Sequence, residues 1–224
     1  MKTVHISLGN DCVVAAYLRD HGLRSHAYPF DWAVTYGGVS GILAQSESRA
    51  LASWCSVDAE GYNAAHGSLH LHMPFPLALP TMARRLERLR QTLADPGINV
   101  VLIRRSHTLH HHFERGDALV DELADARALA RALASAHPDK AAAGGFRIEL
   151  MLACDQCHPR QAPGVDGLLR VHNLTRGPSM SFAENFQTKT YTDAMHTCLA
   201  TLGIVGQTPD VAPGMEQGPY ALEQ

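Results

Sequence analysis

At 224 residues, 46% of them hydrophobic, the chain is long enough to bury a full core. Nineteen Lys and Arg stand against 22 Asp and Glu, so no overall field draws in nucleic acid or an anionic membrane. The opening Met1-Lys2-Thr3-Val4-His5 has no apolar signal core and no stretch approaches the ~20 apolar residues of a membrane helix, so the chain is expected to be cytoplasmic, with no membrane or nucleic-acid partner.

The first predicted element is a strand over Val4–Leu8, a short apolar run that stops at Gly9-Asn10-Asp11. A helix follows from Asp11 to about His21, with Val14, Ala15 and Leu18 on one face, Asn10 as N-cap and Gly22 as the left-handed stop. The segment from Leu23 to Trp32 has no helical or strand period and reads as a structured loop rich in aromatics. Met82, Leu86, Leu89 and Leu93 mark a helix over Thr81–Leu93, closed by Pro96-Gly97. A strand is predicted over Val100–Arg104, then a helix from Asp117 to about Ala136 with Leu119, Val120, Leu123, Leu129 and Leu133 as its apolar stripe, broken by His137-Pro138. Strands over Phe146–Ala153 and Leu168–His172 and a helix over Thr190–Leu202 complete the series. This alternation predicts an α/β fold, a three-layer αβα domain with a largely parallel sheet over residues 1–205, and a C-terminal tail or coil over 206–224.

Cys12 is the leading candidate for chemistry. It sits just after a strand and a glycine turn, at the start of a helix, where free N–H groups and the positive dipole end favour thiolate over thiol. The competing reading is a small buried hydrophobe, the ordinary fate of a free cysteine. All five cysteines are expected as thiols in a reducing compartment. Asp31, between Phe30 and Trp32, is expected to be partly desolvated and either to bind a cation or orient a histidine; the alternative is a helix cap near Gly38. Arg104 at a strand end offers a planar fork for a substrate carboxylate or phosphate, set against an ordinary ion pair at the strand end.

Fourteen histidines is a high count, and they cluster at His66, His70 and His72 and at His107, His110, His111 and His112. Clustered imidazoles raise a metal-binding alternative, as does Cys154-Asp155-Gln156-Cys157-His158, but no conventional four-ligand set stands in the sequence and no metal or cofactor is expected.

The run Ser7-Leu8-Gly9-Asn10-Asp11-Cys12-Val13-Val14-Ala15, followed by Leu18-Arg19, Gly22-Leu23-Arg24 and Tyr28-Pro29-Phe30-Asp31-Trp32, resembles a bacterial family of uncharacterised domains described as papain-like cysteine peptidases. Weaker likeness continues through 67–75, Arg84-Arg85-Leu86-Glu87-Arg88 and Val100–Arg104. The resemblance implies Cys12 as nucleophile, His72 as its histidine with His70 as the alternative register, and Asp31-Trp32 as an aromatic–aspartate pair. Where such members place an aspartate after the histidine this chain has Met73, and Asp31 is taken as the orienting carboxylate instead. The strand-first order differs from the papain-like layout of a helix packed on an antiparallel barrel and is similar in topology to SGNH-type esterases with cysteine in place of serine.

The expected chemistry is acyl transfer by a cysteine hydrolase or acyltransferase. Cys12 attacks a carbonyl, His72 moves the proton, and backbone N–H groups around Asn10–Cys12 hold the oxyanion, with Asn10 as a further donor. Trp32, Arg104 and His70 are the expected substrate contacts, and the substrate is a small molecule or modified peptide. The rival classes are a histidine/cysteine metal protein and a non-catalytic binding module.

Overall fold

The computed structural model describes residues 1–9, 13–31, 33–35, 37–45, 49–50, 62–63, 68–70, 77–105, 121–153, 167–174 and 199. The elements are β1 (Lys2–Ser7), α1 (Val13–Asp20), β2 (Val34–Thr35), α2 (Ser40–Leu43), β3 (Tyr62–Asn63), β4 (Ser68–Leu69), α3 (Leu79–Ala94), β5 (Ile98–Arg105), α4 (Glu122–Ala136), α5 (Pro138–Ala142), β6 (Phe146–Ala153) and β7 (Leu169–Leu174).

Four strands form one sheet in the order β1-β5-β6-β7, all parallel. Each new strand is added on the same side of the last. Right-handed crossovers between strands laid down in that order carry their helices to one face, and α3 and α4 are both found there.

Strand residues alternate between two cores, as a sheet covered on both sides requires. Val4, Ile6, Val100, Leu102, Phe146, Ile148 and Leu150 meet Leu86, Leu89, Leu93, Leu129 and Leu133 of α3 and α4. Val101, Ile103 and Met151 point the other way, onto Val14, Tyr17 and Leu18 of α1 and onto Leu199. The three-layer α/β arrangement with a parallel sheet is therefore the observed one. On the α1 face of β6 the alternation also delivers charge: Glu149, fully buried, lies 2.6 Å from Arg147 Nε and 2.9 Å from His172 Nε2.

Helix ends follow local chemistry. Gly22, at φ +65°, closes α1 with the paired bonds of a Schellman stop, its own N–H to the Arg19 carbonyl and the Leu23 N–H to the Leu18 carbonyl at 2.8 Å. The expected start of α4 at Asp117 is corrected: Asp121 has extended backbone and caps the helix by accepting the Ala124 N–H, so α4 begins at Glu122. His137-Pro138 ends α4 as expected, but Pro138 also opens α5, because proline at a first helical position loses no bond it would otherwise make.

The last turn of α3 is closed by α5. Lys140 Nζ, buried, donates to the carbonyls of Thr92 and Leu93 at 3.0 Å and of Asp95 at 2.7 Å, placing a cation at the negative end of the helix.

A second, small sheet runs β2-β4-β3, antiparallel throughout, with two-residue strands. The predicted helix over Thr190–Leu202 lies outside the described residues except for Leu199, which is helical and buried, and the predicted tail over 206–224 lies wholly outside them.

Candidate functional site at the carboxyl end of β1

β1 delivers the chain to the carboxyl edge of the parallel sheet, the edge at which α/β proteins gather functional groups. Its last peptide is held from both sides. Leu8 N–H donates to the Ile103 carbonyl at 2.9 Å, and the Leu8 carbonyl accepts from Arg104 Nη1 at 3.0 Å and from Thr35 Oγ1 at 3.4 Å.

Gly9 then turns with φ +77°. A side chain there would place Cβ 3.0 Å from the Ala33 carbonyl oxygen, 3.0 Å from Thr35 Oγ1 and 3.3 Å from the Phe30 carbonyl oxygen. Glycine is required twice over, by backbone conformation and by the approach of the 30–35 segment. Asn10 and Cys12 follow in sequence and lie outside the described residues, as do Trp32 and His72.

Asp31 is almost fully buried. Its Oδ2 accepts Arg24 Nε and Nη2, both at 2.9 Å, and the Tyr28 N–H at 2.9 Å. Burial pushes its carboxyl above the ordinary range, opposed by the Arg24 charge, the Tyr28 N–H and the Arg85 charge. The carboxylate thus staples the 24–31 loop to itself. Among the described residues its partner is an arginine rather than a histidine.

The helix cap expected near Gly38 is supplied instead by Asp125 of α4, which accepts the Val39 and Ser40 N–H groups. The loop is fastened to α3 by Tyr28 OH to Thr92 Oγ1 at 3.2 Å and by Arg88 Nη1 to the Ala27 carbonyl at 2.7 Å.

His70 is buried, with its Nε2 3.2 Å from Ser68 Oγ. The β2–β4 register sets Val34 opposite Leu69 and Thr35 opposite Ser68, and Ala33 and His70 are the residues that flank the Val34–Leu69 pair in sequence. Ala33 is also the residue whose carbonyl oxygen closes over Gly9. The small sheet therefore pairs the strand that precedes His70 with the 34–35 strand, whose Thr35 lies against Gly9.

Arg104 departs from its expected role as a substrate contact. Its Nε and Nη2 meet both oxygens of Glu122 at 2.8 and 2.9 Å, its Nη1 meets the Leu8 carbonyl and Thr35 Oγ1, and its Nη2 also meets the Thr35 carbonyl at 2.9 Å. All five N–H groups of the guanidinium are engaged inside the protein at 2% exposure, which leaves none for a substrate. The ion pair at the strand end is the reading that holds.

Sequence reasoning missed Glu122, Thr35 and Arg24 as parts of this end of the molecule. Only Arg24 carried a signal, a cation in the same loop as Asp31. The His107–His112 run and the Cys154–Cys157 pair lie outside the described residues, and among the described residues no group of three or more His, Cys, Asp or Glu could hold a metal ion. Among them, too, no helix is long and apolar enough to cross a membrane.

No curated protein and no solved structure matches the chain. Residues 3–49, which begin in β1, run through α1, β2 and α2 and include Cys12, Asp31 and Trp32, match the model of a family described as putative papain-like cysteine peptidases.

Proposed function

We propose that the chain is a cysteine-dependent hydrolase or acyltransferase with Cys12 as nucleophile. The observation that carries this is the coincidence of the family match over residues 3–49 with a strand end built to hold one turn: Gly9 turns at the carboxyl edge of a parallel sheet, and Cys12 is three residues further on in the sequence.

In this reading the Cys12 thiolate adds to a substrate carbonyl and the oxyanion is held by N–H groups of the Asn10–Cys12 turn, with the Asn10 amide beside them. A histidine of the segment after β4 protonates the leaving group and then takes a proton from the water that hydrolyses the thioester. His72 is the family-based choice for that histidine. His70 is supported by its place directly after Leu69, which pairs with Val34 beside the segment that closes over Gly9. Asp31 serves by fixing the loop that leads into Trp32, the proposed substrate contact. The substrate is a small molecule or a modified peptide.

The test is acylation. The protein is incubated with an activated thioester or p-nitrophenyl ester, quenched in acid, and digested for peptide mass spectrometry. The expected result is one acyl group on the Cys12 peptide, absent in Cys12→Ala and accumulating in His72→Ala or His70→Ala, whichever histidine drives deacylation. A Cys12 that stays unmodified while other cysteines acylate at the rate of a free thiol sinks the proposal.

A further inference from the structure

The Arg104–Glu122 pair has an arrangement that stability alone does not explain. Both side chains are removed from water, at 2% and 1% exposure, and a buried ion pair at best offsets the desolvation of its two charges. An apolar pair of similar volume would serve a core as well. An apolar pair would not hold the acceptors that this guanidinium holds: the Leu8 carbonyl at the exit of β1, and the hydroxyl and carbonyl of Thr35 in β2. Glu122 uses both oxygens to fix the plane of the fork, so the rigid start of α4 sets the direction of the remaining three N–H groups.

Three segments far apart in sequence are thereby indexed to one planar group. The carbonyl it grips belongs to the residue before Gly9, and the Thr35 hydroxyl it grips is one of the walls that close over Gly9.

We propose that Arg104, clamped by Glu122, is a positioning residue for thiol chemistry: it fixes the last peptide of β1 and the Gly9 turn that lead into Cys12. The assignment rests on the cysteine-nucleophile reading above. Its action is indirect, since Arg104 spends every donor inside the protein. A thiol nucleophile gains from this because the donors that stabilise its thiolate and its oxyanion are backbone groups, whose placement is only as good as the strand end they issue from.

The experiment measures iodoacetamide alkylation of each cysteine in the full chain from pH 5 to 9, by peptide mass spectrometry, alongside melting temperature and circular dichroism. The wild type is compared with Arg104→Met/Glu122→Leu, with Arg104→Lys, and with Thr35→Val. The expected result is a double variant that keeps its fold while Cys12 alkylation at pH 7 falls roughly ten- to a hundredfold and its midpoint moves up towards the ordinary thiol value, the other cysteines being unchanged. Arg104→Lys is expected to fail to rescue, because an ammonium on a shorter reach has three donors and no planar fork where the guanidinium spends five.

Thr35→Val removes one hydroxyl and keeps the ion pair, so it carries the test if the double variant does not fold, with a smaller shift in the same direction. A lowered wild-type midpoint that persists in the folded variants overturns this assignment alone. A wild-type Cys12 with an ordinary midpoint overturns the acyl-transfer reading, and this assignment with it.

Discussion

Asp125 Oδ2 of α4 accepts the Val39 N–H at 3.0 Å, so the first turn of α2 is capped by a carboxylate 86 positions away in sequence. The other oxygen accepts the Ser40 N–H at 3.2 Å and the Ser40 hydroxyl at 2.5 Å. Gly38, at φ +80°, is what lets the carboxylate in: a Cβ there would lie 2.5 Å from Asp125 Cγ. Asp125→Ala should cost about 1–2 kcal/mol of unfolding free energy, the loss of a cap. Gly38→Ala should cost more, because it adds left-handed strain to the clash. In the double variant the clash is gone, so the two costs should sum to less than their parts in urea denaturation. Strict additivity would mean that the carboxylate moves aside freely.

The Asp31 carboxyl titrates above its ordinary 3.8 in the folded chain, with burial the leading cause. Between 3.8 and the folded value the folded chain binds more protons than the unfolded one, so unfolding free energy falls as pH rises through that window. The difference in stability between wild type and Asp31→Asn should therefore be most favourable to the wild type near pH 4 and should decline towards neutrality. Urea midpoints of both proteins from pH 4 to 7 check this. A difference that grows with pH would mean that the Arg24 charge, not burial, governs the group.

Lys140→Met keeps the aliphatic stem and removes the ammonium that closes α3. The carbonyls of Thr92, Leu93 and Asp95 lose a charged donor, and the expected loss is about 2 kcal/mol. Amide exchange should rise first in the last turn of α3. Burial pulls the Lys140 pKa below its ordinary 10.5, so between the folded value and 10.5 the folded chain binds fewer protons than the unfolded one and unfolding free energy should rise with pH through that window.

Gly9→Ala tests the turn itself. Left-handed strain and two 3.0 Å contacts should together cost about 1–3 kcal/mol, and the loss in Cys12 acylation should be larger than that seen for Gly22→Ala, where nothing lies within 4 Å of the added methyl. Equal effects at the two glycines would separate the β1 turn from the chemistry.

Much of the scaffold was legible because its signals are local. The apolar runs at Val100–Arg104 and Phe146–Ala153, and the repeat Met82, Leu86, Leu89, Leu93, each specify an element unaided. β2, β3 and β4 were not legible, since two residues carry no period, and the four residues of α2 are too few for a stripe. The site was half legible for the same reason. A glycine before Cys12 reads as a turn in any sequence, but the grip of Glu122 on Arg104 depends on α4 starting at Glu122 rather than Asp117, and nothing near Asp31 advertises that Asp125 would take the cap at Gly38.

The parallel pairing of β1 with β5 also sets an order of assembly. Leu8 and Arg104 are 96 positions apart, whereas β5 and β6 pair across 46 positions from Val100 to Phe146, and β6 and β7 across 21 from Ile148 to Leu169. Closure entropy rises with the span enclosed, so β5, β6 and β7 form the cheaper nucleus and β1 docks onto a sheet that already exists. Of the four strands of this sheet, β1 is then the last to find its place. Until it does, the carboxyl end of β1 has no partner, and the Gly9 turn takes shape in the closing step of folding.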